Sequence, residues 1–390
     1  MNYKEILKNG DRLSILGYGC MRFPKDDTEL TKQLTLAIES GINYFDTAYI
    51  YPNSEERLGK FLAEGNYRQK VKIATKIPLY MVKKREDFDK LFNTQLKRLQ
   101  TDYIDYYLFH MLTDTAIWER LVGLGVLEWI KEKKNSGKIR NIGFSYHGGK
   151  DEFKKIVDLY NWEMCLIQYN YMDENLQAGR SGLDYAAGKG IPVMIMEPLR
   201  GGALANKLPK NAVKIWENYI KEQRSAAEWA FRWLWDQPNV SVVLSGMNSV
   251  EVINENVRVA SDVKENSLTD EEIQLYAKVK GILCEKIIVP CTGCGYCMPC
   301  PKNVDIPTCF SCYNTMANEG KFVAFKNYMM QTTMKKETTN ASNCVKCGAC
   351  EVHCPQGIKI REELKNVVKK LEGIKYKPVR SCVKWYMKLK

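Results

Sequence analysis

The sequence predicts an α/β fold, a (β/α)8 TIM barrel followed by a small α-helical and loop domain organised around cysteine, on two observations. Short β-branched or aromatic runs alternate with helix-period segments through eight units in roughly 250 residues, and cysteine, glycine and proline then replace the apolar runs. At 390 residues with 45% hydrophobic content, two domains of unequal size are expected.

Taken in order, the opening NYKEILKNGDRLSIL places an NGD turn between two short runs and predicts a hairpin closing the barrel floor. LGYGCMRF is the first strand and TELTKQLTLAIESG the first helix. Strand candidates INYFDTAYIY, VKIATKIP, IDYYLFHM, KIRNIGFSY, CLIQYNYMD, IPVMIMEPL and VSVVLSG follow. Between them lie SEERLGKFLAEG, REDFDKLFNTQLKRL, GVLEWIKEKKNSG, KDEFKKIVDLYNW, SGLDYAAGKG, SAAEWAFRWLWDQ and SVEVINENVRVAS, with apolar positions at helical spacing. Segments 111–124 and 200–222 read as loops. A helix near 271–283 marks the boundary, so the expected division is a barrel over 1–270, a cysteine domain over 271–370 and a basic tail over 371–390.

No run reaches the roughly eighteen apolar residues of a spanning helix, and the start has no apolar leader core; a soluble cytoplasmic protein is expected. Of 14 cysteines only Cys20 and Cys165 precede residue 280, a distribution that favours metal ligation over disulfides beside an enzyme-sized first domain. The net charge of +12 is concentrated too: residues 321–390 hold 16 Lys and Arg against 5 Asp and Glu. Anionic metal–thiolate sites would offset part of that excess, and the rest suits an acidic electron-transfer partner or a plain solvated surface. No nucleic-acid-binding motif accompanies the charge.

Two cysteine runs carry the metal chemistry. PCTGCGYCMPCP supplies Cys291, Cys294, Cys297 and Cys300 before Pro301, and NCVKCGACEVHCPQG supplies Cys344, Cys347, Cys350 and Cys354 before Pro355. Three thiolates at two-residue intervals wrap one corner of a cubane, and a fourth before proline ligates the other cluster in two-cluster ferredoxins. One [4Fe-4S] cluster is thus expected on Cys291, Cys294, Cys297 and Cys354, the other on Cys344, Cys347, Cys350 and Cys300. Zinc is the competing reading, and two complete runs ending in Cys-Pro weigh against it. Cys309 and Cys312 form a further CxxC, spare thiols beside the sites or ligands for another group; Cys284 and Cys382 are unassigned.

Strand C-terminal ends of such barrels carry the catalysis. There stand Asp46 and Tyr51 after the second strand, Lys76 after the third and His110 after the fourth. A lysine ammonium lowers a neighbouring phenol's pKa, an aspartate holds the ammonium, and a histidine orients a carbonyl oxygen. Singly, Asp46 could cap a helix, Lys76 face solvent and His110 sit satisfied in the core; at successive strand ends they form a proton-transfer set.

FDTAYIYPNSEERLGK, IATKIP and YYLFHM resemble, in spacing and order, the signatures of the aldo/keto reductase family, and the likeness covers most of residues 10–260. The resemblance implies reduction of an aldehyde or ketone by hydride from NADPH or NADH, with Tyr51 as general acid, Lys76 and Asp46 tuning it and His110 positioning the substrate. It also implies nicotinamide contacts at Ser145 and Gln168, and pyrophosphate loops at Leu199, Gly201 and Gly202 and at Gly246, Glu255 and Asn256. The Lys and Arg that hold the 2′-phosphate in many NADPH-using members fall on Gly246 and Val252, so that clamp is absent. His147, two residues past Ser145, is also unlike the Ser-Asn pair common in the family. The whole arrangement resembles a bacterial subgroup, often from anaerobes, with a C-terminal ferredoxin-like domain carrying two 4Fe-4S clusters. Three readings compete: a carbonyl reductase with structural or accessory clusters, an electron-transfer enzyme, which a barrel-bound flavin would favour, and a redox sensor, for which a tuned acid has no use.

Overall fold

The computed structural model describes residues 1–148, 150–219, 222–333, 337–374 and 376–386. Tyr3–Ile6 (β1) and Asp11–Ser14 (β2) pair as an antiparallel hairpin. The eight predicted strands follow: Leu16–Gly19 (β3), Tyr44–Asp46 (β4), Lys72–Pro78 (β5), Ile104–His110 (β6), Ile139–Tyr146 (β7), Met164–Gln168 (β8), Val193–Met196 (β9) and Val240–Ser245 (β10). They run parallel and close in chain order, β10 pairing with both β9 and β3.

Strand side chains alternate between two faces, and here the alternation separates barrel interior from helix layer. Tyr44, Ala74, Tyr106, Leu108, Met164, Leu166, Met194, Val242 and Leu244 fill the interior. On β6 the intervening Tyr107 and Phe109 point outward, their rings 5.1 Å from Phe92 and 5.6 Å from Trp118. Ile6 and Leu13 join the interior cluster, so the hairpin plugs the floor. Polar bonds pin it there: Asn9 donates to the Tyr106 hydroxyl (3.0 Å) and to Asn141 (2.8 Å), and Tyr106 donates to Asp11 (2.6 Å).

Two segments differ from expectation. Thr115–Gly123, read as loop, is a helix started by Asp114, whose side chain accepts from the Ile117 N–H at 2.9 Å, and it buries Trp118 and Leu121. Its nine residues offer too few turns for apolar periodicity to stand out. Residues 200–222 likewise contain helices Ala203–Asn206 and Lys210–Glu217.

Close backbone approach is visible at Gly59 on the helix Ser54–Glu64, where a Cβ would stand 2.4 Å from the Arg98 carbonyl oxygen and 2.6 Å from the Leu99 Cα. Gly59→Ala must therefore push two helices apart. The expected cost is about 2 kcal/mol, a fall in melting temperature of roughly 5 °C, measurable by calorimetry.

The chain forms two compact units, Met1–Pro198 with Ala227–Asp270, and Leu199–Ala226 with Glu271–Lys390. The second takes the segment after β9 out of the barrel's chain. Within it Trp216 packs edge-on against Tyr276 at 5.2 Å, and Arg224 pairs with Glu272 at 2.5 Å, tying that segment to the helix Asp270–Lys286. Helices Ile306–Glu319, Lys321–Tyr328 and Ile360–Leu371 supply a core that includes Phe310, Tyr328, Leu364 and Val367. Cys309 and Cys312 are buried in this core, where they pack as small apolar side chains. Tyr376, at the start of the basic C-terminal helix Tyr376–Tyr386, is buried and its hydroxyl lies 2.8 Å from that of Thr333, so the tail begins packed. No helix among the described residues is long and apolar enough to cross a membrane.

Candidate active site and cysteine centres

Alternation along the strands carries the interior face up to its C-terminal rim. Asp46 follows Tyr44 by two residues, Lys76 follows Ala74, and His110 follows Tyr106 and Leu108, so all three side chains continue the inward series. The register sets them side by side: Asp46 pairs with Ala74, Lys76 with Leu108 and Pro78 with His110. The loop after β4 is stitched along β5 by Thr47 N–H to the Ala74 carbonyl (2.8 Å) and Tyr49 N–H to the Lys76 carbonyl (3.2 Å). A turn then closes with the Ser54 N–H on the Tyr51 carbonyl at 3.1 Å, which brings Tyr51 back over the rim.

The four predicted side chains meet. Lys76 Nζ donates to Asp46 Oδ1 at 2.5 Å and to the Thr47 carbonyl at 2.7 Å, and lies 5.2 Å from the Tyr51 ring centre. The His110 ring stands edge-on to Tyr51 with centres 6.1 Å apart. Burial pushes the Asp46 carboxyl up, with the adjacent ammonium opposing it. Burial also drives the His110 imidazole well below its ordinary value, helped by the charge of Lys76, so His110 is neutral near pH 7.

A second polar layer holds this arrangement from behind. Gln95 donates to the Lys76 carbonyl (3.2 Å) and to Glu55 (2.7 Å), Thr75 donates to Glu55 (2.6 Å), and Tyr107 donates to Gln95 (2.7 Å). Every one of these groups is buried. Removing one partner leaves the others unpaired in a low-dielectric interior.

The expected nicotinamide positions are each engaged. Ser145 Oγ accepts from the Met111 N–H at 2.9 Å, fixing the residue after His110 in the left-handed region (φ 57°). Gln168 donates to Asp173 at 3.1 Å and accepts from Gln177 at 2.9 Å. Gln177 Oε1 faces His147 Nδ1 at 3.2 Å; an amide oxygen only accepts, so Nδ1 carries the proton and Nε2 is an acceptor. Asn170 closes the chain by donating to Asp173 (2.9 Å) and to the Glu197 carbonyl (3.1 Å). The sequence reading missed this relay of Asn170, Asp173 and Gln177; the polar residues crowding the end of CLIQYNYMD were the available signal. At β10, Asn256 donates to Ser245 at 2.9 Å beside Gly246, and Glu255 is half-buried on the helix Val250–Asp262. Leu199, Gly201 and Gly202 belong to the second unit.

Burial pulls His147 down to about 4. Folded His147 thus binds fewer protons than unfolded His147 between about pH 4 and 6.5. Stability is lost as pH falls through that window and regained as it rises, by about 3 kcal/mol for this group. His147→Gln should flatten that part of the pH profile of urea midpoints relative to the parent chain.

The two cysteine runs approach each other. Cys291, Cys294, Cys297 and Cys354 line one cavity with Thr292, Phe310, Ile358 and Ile360. Cys344 and Cys300 lie close enough to Cys350 to raise its thiol, which burial chiefly lifts to about 11. Cys347 is exposed. A single zinc ion would draw its thiolates to within about 4 Å of one another. Among the described residues no three His, Cys, Asp or Glu are gathered so for one ion; the first quartet surrounds a cavity instead. The Thr292 hydroxyl, which also lines it, is buried with no hydrogen-bond partner among the described residues, a donor suited to a sulfide. The donor set and the cavity fit a cubane cluster.

A closed parallel barrel carries buried Asp46, Lys76 and His110 and half-buried Tyr51 together at its C-terminal rim, where enzymes of this fold hold their catalytic groups. The aldo/keto reductase family matches residues 15–280, and the 4Fe-4S dicluster domain matches residues 290–359, so the chain belongs to the aldo/keto reductase family and ends in a 4Fe-4S dicluster domain. It is similar to the D-galacturonate reductase of Fragaria ananassa (27% identical, over 71% of this chain and 91% of the relative). The NADH-specific methylglyoxal reductase of Escherichia coli is 25% identical over 63% of this chain and 89% of its own. Among solved structures, the holo form of aldo-keto reductase AKR11C1 from Bacillus halodurans superposes with a TM-score of 0.59 at 25% identity, covering 72% of this chain and 96% of that one.

Proposed function

We propose that the barrel reduces the carbonyl of a small aldehyde or ketone to an alcohol, with Tyr51 as the general acid. The observation that carries this reading is Lys76, held 2.5 Å from Asp46 and 5.2 Å from the Tyr51 ring, with His110 on the ring's other flank. A bound nicotinamide supplies the hydride to the carbonyl carbon. The Tyr51 hydroxyl gives its proton to the carbonyl oxygen, and the Lys76 ammonium stabilises the phenolate left behind. Asp46 keeps that ammonium aimed at the ring. Neutral His110 is no proton source at pH 7; it orients the oxygen through a hydrogen bond, which leaves the proton to Tyr51.

NADH is the favoured donor in this reading. Gly246 and Val252 offer no cation to a 2′-phosphate, and Glu251, in the first turn of the helix Val250–Asp262, opposes one. Ser145, Gln168 and Asn256 hold the nicotinamide and adenosine ends, and Leu199, Gly201 and Gly202 the pyrophosphate. The two cysteine quartets each hold a [4Fe-4S] cluster as an accessory redox centre, and the basic surface of residues 321–390 receives an acidic electron-transfer protein.

Deuterium from NADH labelled at the transferable C4 position tests the reaction. Transfer of the label to the product's carbinol carbon, with turnover lower on NADPH, is the expected result. Product labelled only from heavy water would overturn hydride transfer.

A further inference from the structure

The segment that leaves the barrel after β9 and the first cysteine run belong to one compact unit. They meet at backbone distance: at Gly201, with φ +62°, a Cβ would stand 2.4 Å from the Thr292 carbonyl oxygen. Thr292 follows Cys291 and lines the same cavity as Cys291, Cys294, Cys297 and Cys354. Beside Gly201, Arg200 is 94% buried, since only 6% of it is exposed, and it adopts φ 47°. A non-glycine residue is held in that region only where its surroundings require it. The contact of Gly201 with Thr292 sets buried Arg200 beside the first cysteine run.

We infer that Arg200 is an electrostatic positioning residue for the cluster bound by Cys291, Cys294, Cys297 and Cys354, and that it raises the reduction potential of that cluster alone. The inference rests on the reading that this quartet holds a cluster. One-electron reduction adds a negative charge to a site already carrying about −2, and a buried cation stabilises the more negative state. Arginine is the residue suited to the task, because it stays protonated when desolvated. The second run has a cation of its own, because the Arg361 guanidinium lies 3.5 Å from where a Cβ on Gly348 would stand, so removing Arg200 leaves that charge in place. The same short loop carries the positions proposed for the pyrophosphate.

The test is an anaerobic potentiometric titration of the full chain followed by electron paramagnetic resonance. Iron content and two reducible signals in the parent chain first establish the clusters; their absence would remove the underlying reading, separately from the inference. Arg200→Gln should then lower the ratio of reduced to oxidised cluster about tenfold for one cluster at its parental midpoint, a shift of about 59 mV to the negative for one electron. The second midpoint should stay in place, and the moved signal should be the one that Cys291→Ala abolishes. Unmoved midpoints, or two that move together, overturn the inference. Should Arg200→Gln lose a cluster, Arg200→Lys decides: retention of both clusters at parental midpoints supports the role of charge, and loss of a cluster there too overturns it.

Discussion

Tyr51→Phe should lower kcat for carbonyl reduction roughly a thousandfold while KM and the visible absorbance of the clusters stay near their parental values. The substitution removes one hydroxyl at the mouth of the site and leaves the ring that Lys76 and His110 pack against. Without the phenol there is no proton donor, since His110 is neutral at pH 7 and Lys76 is committed to Asp46 and the Thr47 carbonyl. Lys76→Met should lower kcat by a comparable factor, because the phenolate forms unstabilised. It should also destabilise the fold, since Asp46 loses its counter-ion in a buried place. Lysine acts through tyrosine, so the double variant should be little worse than either single one. Turnover retained in Tyr51→Phe would falsify the assignment of the acid.

The second large effect concerns which cysteines share a cluster. The parent chain should carry about eight iron atoms, and Cys291→Ala or Cys354→Ala about four. The combination Cys291→Ala with Cys354→Ala should still carry about four, since both residues line the same cavity. Cys300→Ala with Cys354→Ala should carry almost none. If each run instead serves its own cluster, both doubles would empty both sites, so Cys291→Ala with Cys354→Ala is the variant that tells the two arrangements apart. Iron analysis alone separates the two arrangements. Exchange of ligands also has a folding consequence, because each cluster then ties residues near 291–300 to residues near 344–354 and closes a long loop.

Much of this was legible in the chain. Most of the eight strands could be read because they are runs rich in β-branched and aromatic residues and largely buried on both faces, bounded by helices long enough to show their period. The hairpin could be read because NGD has few conformations open to it. The helix Thr115–Gly123 could not, being short and anchored by Trp118 and Leu121 rather than by a repeating stripe. Cys309 and Cys312 show the opposite limit: their spacing resembles a ligand pair, and only their place in the apolar core identifies them as packing residues.

By itself the sequence carried the order of the strands, the placing of Asp46, Tyr51, Lys76 and His110 at or just past successive strand ends and the spacing of the two cysteine runs, because each rests on local periodicity or fixed spacing that any folded state of this chain must respect. Tertiary structure alone decided the proton on His147 Nδ1, the buried support of Lys76 by Gln95 and Glu55, and the approach of the loop at Gly201 to the first cysteine run. These depend on distances between residues far apart in the chain, Gly201 and Thr292 among them, and on the loss of solvent around them. Neither quantity exists until the chain has closed on itself.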